Sequence, residues 1–488
     1  MAALVQTVAA ALQAGDEAGA ENALRQIVAE DPRHAEAWHM LAALGVRTAR
    51  AEEAIECALR AHQLDRRNAQ YLNTLGIAYA EARQFQEALR CFRRSLKERP
   101  NRSDSHYNLG KTFAKLEDWR EATRCFERAH QLDPDRLEVV HNLVALHVHQ
   151  GRYREALSLI TRARSRNPDD VELALYNALA ALATSGPDAM FREFAAFLER
   201  HPDSVPVREE FSLRLLAQGM LAEGWREYAL RRVRPAVGRA GELRDRRVLL
   251  LPEQGLGDQL FFLRFAPRLR ERAASIAFDC PEKLAPLLAG NGVVDLLPAG
   301  AAPADFDVVL PVGDLPEALE DWTTPPAFAL APRRASAWRE RLAALGPPPY
   351  LGVTWRAGTR AGRRAEFGAR EEGALDKEIA IEPLAAALRG WRGTVLVLQR
   401  LPLGGEVEKF SAALGRRAHD LSALNEDLED IAAVLALIDE YVGVSNTNMH
   451  IRAGLKKTAR VLVPFPPEFR WMHAGAESPW FPGFALYR

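Results

Sequence analysis

The sequence predicts an α-helical solenoid in its first half and an α/β region of parallel strands in two lobes in its second. Two observations carry this. Between Met1 and Asp203 residues recur on a 34-residue grid, and from Arg247 onward short apolar strands alternate with helical stretches. With 488 residues the chain is longer than a single hydrophobic core sustains, so several domains are expected. A net charge of −1 gives no overall attraction to nucleic acid.

The first twenty residues are apolar but interrupted by Gln6, Gln13 and Asp16, and no Lys or Arg precedes Arg25. That pattern predicts a helix rather than a secretory leader. Nowhere do about 18 apolar residues run without charge, so no membrane span is expected, while peripheral membrane association stays open. Cys57, Cys91 and Cys125 fall on the repeat period, which marks them as small buried residues of a reducing, cytoplasmic protein rather than metal ligands or disulfide partners.

Pro32, Pro100, Pro134, Pro168 and Pro202 share one grid position, with Arg66 in the remaining slot. Ala54, Ala88, Ala122 and Ala156 share another, as do Leu75, Leu109 and Leu143, then Gly76 with Gly110, and Phe92 with Phe126. Small positions let paired helices approach, large ones fill between pairs, and proline stops each second helix. The period and these residues resemble the tetratricopeptide repeat family, most clearly from Asn68 to Pro168. The resemblance implies a stacked solenoid over residues 1–236, with a groove for an extended peptide or acceptor protein. Asn108 and Asn142 occupy equivalent positions. In the O-GlcNAc transferase family, which the array resembles, an asparagine ladder near that position holds peptide backbone; exposed helix filler is the alternative.

A basic passage containing Arg231, Arg232, Arg234, Arg239, Arg244, Arg246 and Arg247 follows a helical pair, Val205 to Leu215 and Leu221 to Arg232, and reads as solvated surface at the domain junction. Strands are then expected at Val248 to Leu251, Ser275 to Phe278 and Val308 to Leu310, with a helix from Gln259 to Arg272. A second lobe is expected to place strands at Tyr350 to Thr354, Thr394 to Gln399, Tyr441 to Val444 and Arg460 to Val463. Its helices fall at Pro383 to Arg389, Ser411 to Leu414 and Leu428 to Asp439. The lobes divide as 247–345 and 346–488, with a hinge near Gly346 to Pro349. Ligands gather at the carboxyl ends of parallel strands, so polar residues that follow strands are the candidates.

The first such run is Glu253-Gln254-Gly255-Leu256-Gly257-Asp258, where glycines permit a strand-to-helix turn and free amides suit an anion. Alone, Asp258 reads as a helix cap. The run resembles the heptosyltransferase family of glycosyltransferases, and the similar run of repeat proteins with a transferase-like tail. That resemblance implies a two-lobed, Rossmann-like GT-B domain in which Asp258 is the general base on an acceptor hydroxyl. It further implies that Gly257, Arg356, Lys377, Asn446, Thr447, Asn448 and His450 surround the donor diphosphate, and that Glu429 holds ribose hydroxyls. Ser445-Asn446-Thr447 departs from the family's Asp-Thr-Gly. Arg363 and Arg364 are further candidate cations. A solvated salt pair with Glu371, Glu372 or Glu378 competes for each basic residue, and a helix cap or exposed acid competes for the others.

The favoured expectation is therefore a metal-independent glycosyltransferase that moves a sugar from a nucleotide-diphosphate co-substrate, with no resident cofactor, to a protein held by the repeats. Two alternatives stand beside it: a non-catalytic repeat scaffold with a degenerate transferase domain, and a lipopolysaccharide or polysaccharide transferase.

Overall fold

The computed structural model describes residues 2–230, 243–290, 292, 294–298, 300, 302–323, 330–357, 377–464 and 467–488. They fall into two compact units, Met1–Pro202 and Asp203–Arg488.

The first unit is helical. Its elements are α1 (Ala2–Gln13), α2 (Glu17–Glu30), α3 (Ala35–Arg47), α4 (Ala51–Leu64), α5 (Ala69–Glu81), α6 (Phe85–Glu98), α7 (Ser103–Lys115), α8 (Trp119–Leu132), α9 (Leu137–His149), α10 (Tyr153–Arg164), α11 (Val171–Ser185) and α12 (Pro187–Arg200). Helices meet at the grid positions. Ala54, Ala88, Ala122 and Ala156 are wholly buried. A methyl on Gly76 would sit 2.6 Å from Phe92 Cε1, and one on Gly110 would sit 2.9 Å from Phe126 Cε1. Glycine and ring thus form one packing device, in which the missing side chain makes room for the phenylalanine of the following helix.

The turns are equally regular. Gly15, Ala49, Arg83, Glu117 and Gly151 have φ between 57° and 71°, a left-handed backbone that costs a residue with a Cβ about 1–2 kcal/mol. Asp31 and Arg99 end second helices in extended backbone. Each precedes a proline, whose ring disfavours helical geometry in the residue before it.

The second unit opens with two helices, α13 (Val205–Ala217) and α14 (Leu221–Ala229). Among the described residues ten strands follow: β1 (Arg247–Leu251), β2 (Ser275–Phe278), β3 (Asp295–Leu296), β4 (Val308–Pro311), β5 (Tyr350–Val353), β6 (Thr394–Val397), β7 (His419–Asp420), β8 (Glu440–Gly443), β9 (Arg460–Leu462) and β10 (Ala485–Tyr487). They form two sheets, in the orders β3-β2-β1-β4 and β10-β9-β8-β5-β6-β7, with every described pairing parallel. Val248 lies beside Ile276 and Val308; Gly352 lies beside Leu396 and Tyr441. Central strands covered on both faces need apolar residues throughout, and Val248, Leu249 and Leu250 are all fully buried.

Several boundaries differ from those expected. The pair α13–α14, assigned from sequence to a solenoid ending at residue 236, groups instead with the α/β unit. The reason is aromatic packing: Trp225 lies 5.9 Å from the Phe262 ring, 5.7 Å from Phe469 and 6.2 Å from Trp480, all edge-on. The helix expected over Gln259 to Arg272 starts earlier, as Leu256–Phe262, passes through a 3-10 turn at Leu263–Phe265 and resumes as Ala266–Arg270. β3, β7 and β10 were not expected. They have two or three residues each, too few to show an alternation.

Candidate functional site

The two strand-following loops singled out in the sequence meet within the α/β unit. After β1, Gln254 takes a left-handed turn with φ 59°, and helix Leu256–Phe262 then packs on helix Thr447–Gly454, which follows β8. A methyl on Gly257 would lie 3.0 Å from His450 Cδ2 and 3.3 Å from Thr447 Cα. Glycine is what permits that approach.

Asp258 is engaged at both carboxylate oxygens. Oδ2 accepts from the Gly255 amide at 3.1 Å, and Oδ1 accepts from the guanidinium of Arg470. Arg470 also pairs with Glu468, which takes Lys377 Nζ at 2.9 Å. Burial works against ionised Glu468, but Lys377 and Arg470, with a hydrogen bond from Ser445, hold its carboxyl far below the ordinary range. Burial likewise opposes the charge on Arg470, and Asp258 and Glu468 outweigh it, raising its pKa. Loops following β1, β5 and β9 are thereby tied into one ionic chain.

His450 lies beside this chain, 6% exposed. Burial first, then the field of Arg470, pushes its pKa far below the ordinary imidazole value, so the ring is neutral. Its Nδ1 has no hydrogen-bond partner among the described residues, and its ring contacts Phe261 and Phe481 edge-on.

The expected phosphate loop is committed locally. Asn446 caps helix Thr447–Gly454 through the Met449 amide at 3.3 Å, accepts from Tyr441 Oη at 3.1 Å and donates to Thr354 Oγ1 at 2.9 Å. A methyl on Gly443 would lie 2.1 Å from Thr354 Oγ1, so the loops after β5 and β8 touch. Asn448 is buried, whereas Thr447 is half-buried.

Arg356 and Glu429 also have intramolecular partners. Arg356 meets Glu406 at 2.8 Å and Glu378 at 3.5 Å. Its amide and that of Trp355 donate to Gln399 Oε1 at 2.9 and 3.0 Å, which stitches the ends of β5 and β6. Glu429 is buried and accepts from the Arg333 amide. The neighbouring Asp427 and Asp430 pair with Arg334 at 2.7 and 3.0 Å, so this helix end fixes the segment entering helix Ala335–Leu345.

Sequence reasoning missed Arg470, Glu468 and Arg264. Arg264 is 2% exposed, with its guanidinium 4.3 Å from the Phe261 ring centre and 4.7 Å from that of Phe481. It donates to the Phe261 and Trp480 carbonyls. The available signal was a charged pair, Glu468 and Arg470, inside an aromatic-rich ending. Arg231, Arg232, Arg234, Arg239, Arg363, Arg364, Glu371 and Glu372 lie outside the described residues.

In the solenoid, Asn108 donates to Asn73 Oδ1 at 3.2 Å, linking α7 to α5. Asn142 donates to the Glu138 carbonyl at 2.7 Å and to Tyr107 Oη at 3.4 Å. Both are half-buried, and each also reaches a residue of the preceding repeat. Among the described residues no group of His, Cys, Asp or Glu is placed to hold a metal, and no helix is long and apolar enough to cross a membrane.

Comparison with known proteins agrees with the repeat geometry. Residues 113–182 match a tetratricopeptide repeat model, and residues 47–129 match that of anaphase-promoting complex, cyclosome, subunit 3. The first unit therefore carries tetratricopeptide repeats. The chain is 27% identical over 316 residues to Protein FlbA of Caulobacter vibrioides, a match that takes in 56% of this chain and 50% of that protein. The chain thus spans about half the length of that curated relative.

Similar solved structures include pilF of Pseudomonas aeruginosa, 22% identical, covering 43% of this chain and 93% of that one at TM-score 0.37. PilW, a type IV pilus biogenesis factor, is 18% identical, with 43% and 94% covered at TM-score 0.38. YrrB, a TPR protein with an unusual peptide-binding site, is 20% identical, with 38% and 95% covered at TM-score 0.33.

Proposed function

We propose that the chain is a protein-interaction scaffold: a repeat solenoid that holds protein segments, joined to a GT-B-like unit whose donor-site residues have become internal ion pairs. One observation carries this reading. Lys377 is paired with Glu468, Arg470 with Asp258, and Arg356 with Glu406. A diphosphate entering there must displace a carboxylate from a largely buried cation, and stranding one partner of such a pair costs about 3–5 kcal/mol. Asp258 already accepts a hydrogen bond at each oxygen, from the Gly255 amide and from Arg470, so proton abstraction there would compete with an ion pair.

Selection of a displayed random-peptide library on the full chain tests the scaffold. Enriched peptides are expected to lose about tenfold or more in affinity with Tyr107→Ala/Asn142→Ala, the helical circular dichroism being unchanged. Absence of enrichment, or peptides indifferent to that substitution, would overturn the reading.

A nucleotide-sugar transferase is the second reading. The approach of Gly257 to Thr447 and His450, at the carboxyl ends of two parallel sheets, favours it.

A further inference from the structure

The repeat period extends to a set of exposed arginines on the second helices. Arg60, Arg94, Arg128 and Arg162 are spaced by 34 residues, one on each of α4, α6, α8 and α10, and all are exposed. Equivalent positions on successive second helices place them in one row. Two neighbours register that row: burial first, then the field of Arg94, lowers the pKa of His62, and burial with Arg162 does the same to His130.

A second row runs beside it. Glu53, Glu87, Glu121 and Glu155 sit seven residues earlier on the same helices, hence on the same face and about 10 Å away along the helix axis. The acids are already neutralised. Glu53 pairs with Arg25 and Arg50, Glu87 with Arg90 at 2.7 Å, Glu121 with Arg124 at 2.7 Å, and Glu155 with Arg152 at 3.4 Å. The arginine row has no carboxylate partner among the described residues. Arg128 donates only to the neutral Asn101 and Gln131 side chains, and Arg162 to the Ser158 carbonyl. Glu56 and Glu98 lie one turn from Arg60 and Arg94 on the same helices, and among the described residues no ion pair joins them to these arginines.

We propose that this row is a docking rail for an extended acidic polypeptide segment laid across the second helices of four successive repeats. Width decides the class of partner. A duplex nucleic acid or a membrane surface is broader than the separation of the two rows and would also meet the unpaired Glu56 and Glu98 beside the arginines. An extended polypeptide fits on the arginine line alone, with backbone long enough to place carboxylates against successive guanidiniums. The rail uses exposed second-helix positions, whereas Asn108 and Asn142 lie on first helices.

The test is fluorescence anisotropy of labelled poly-L-glutamate titrated with the full chain. Wild type is expected to bind saturably at about 50 mM salt and to weaken steeply by about 300 mM. Arg94→Glu/Arg128→Glu is expected to lose about tenfold or more in affinity. Glu87→Gln/Glu121→Gln is expected to bind as tightly as wild type or tighter. Circular dichroism of each variant establishes that the helices are intact; Arg60→Ala/Arg162→Ala, which adds no acid, is the second variant should the first unfold. No binding at low salt, or binding unmoved by either arginine pair, would overturn the proposal. Stronger binding to duplex DNA or phosphatidylserine vesicles than to poly-L-glutamate at equal charge would overturn it as well.

Discussion

Replacing Glu406 with alanine removes the carboxylate that Arg356 meets at 2.8 Å. It also removes the acceptor for the Leu403 amide at 2.9 Å and the Trp355 indole at 3.4 Å. The Arg356 side chain is 4% exposed, so the stranded cation cannot turn to water, although Glu378 at 3.5 Å supplies part of the lost field. Breaking one side of a buried pair costs about 3–5 kcal/mol, and with a second carboxylate in reach about 3 kcal/mol is expected.

Urea unfolding followed by both tryptophan emission and helical ellipticity reads this out. The α/β transition should move to lower urea at unchanged slope while the solenoid transition stays in place. Arg356→Met/Glu406→Leu should recover most of the loss. A change below about 1 kcal/mol, or one shared by the solenoid, would refute the reasoning. The pH dependence follows with its sign. Burial raises the Glu406 pKa, but the hydrogen bonds from Arg356 and the Leu403 amide win and hold it below the ordinary value. The pair's contribution is complete above the unfolded carboxylate range and is lost as pH falls through the depressed native value.

Other outcomes are expected in the solenoid. Gly76→Ala forces a methyl to within 2.6 Å of Phe92 and should cost about 1–3 kcal/mol, measured as a lower thermal midpoint. Glu117→Gly relieves a left-handed residue at φ 60° and should raise that midpoint by a gain of about 1 kcal/mol. Burial pushes the His147 pKa down to about 4. The unfolded chain therefore takes up a proton that the native one refuses, and stability should fall as pH drops from about 6.5 toward 4, less so in His147→Gln, by urea midpoint. Burial raises the Cys57 thiol to about 11 and that of Cys125 to about 12, so both should resist iodoacetamide at neutral pH until the chain unfolds, as mass spectrometry can count.

The solenoid was legible because its period repeats one packing solution. Every Ala54-type position and every Gly76–Phe92 device is local in sequence, so the 34-residue grid reports the contact directly. Central strands were legible for a similar reason: Val248–Leu251 and Thr394–Val397 are covered on both faces and read as continuous apolar runs. Partners in the candidate site were not legible. Asp258 and Arg470, or Arg356 and Glu406, meet only after the sheets assemble, and neither member carries a local mark of its partner. The same holds for α13–α14, whose helical pattern fits a repeat while Trp225 packs against rings far along the chain.

The central claim is that the cations near the strand ends serve internal carboxylates rather than a donor diphosphate. Calorimetric titration of the full chain with uridine, guanosine, adenosine and thymidine diphosphates, and with their sugar conjugates, tests it most directly. The account predicts no saturable heat for any of them. Saturable binding, abolished by Lys377→Ala and by Glu429→Ala in folded protein, would contradict it and return the α/β unit to the transferases.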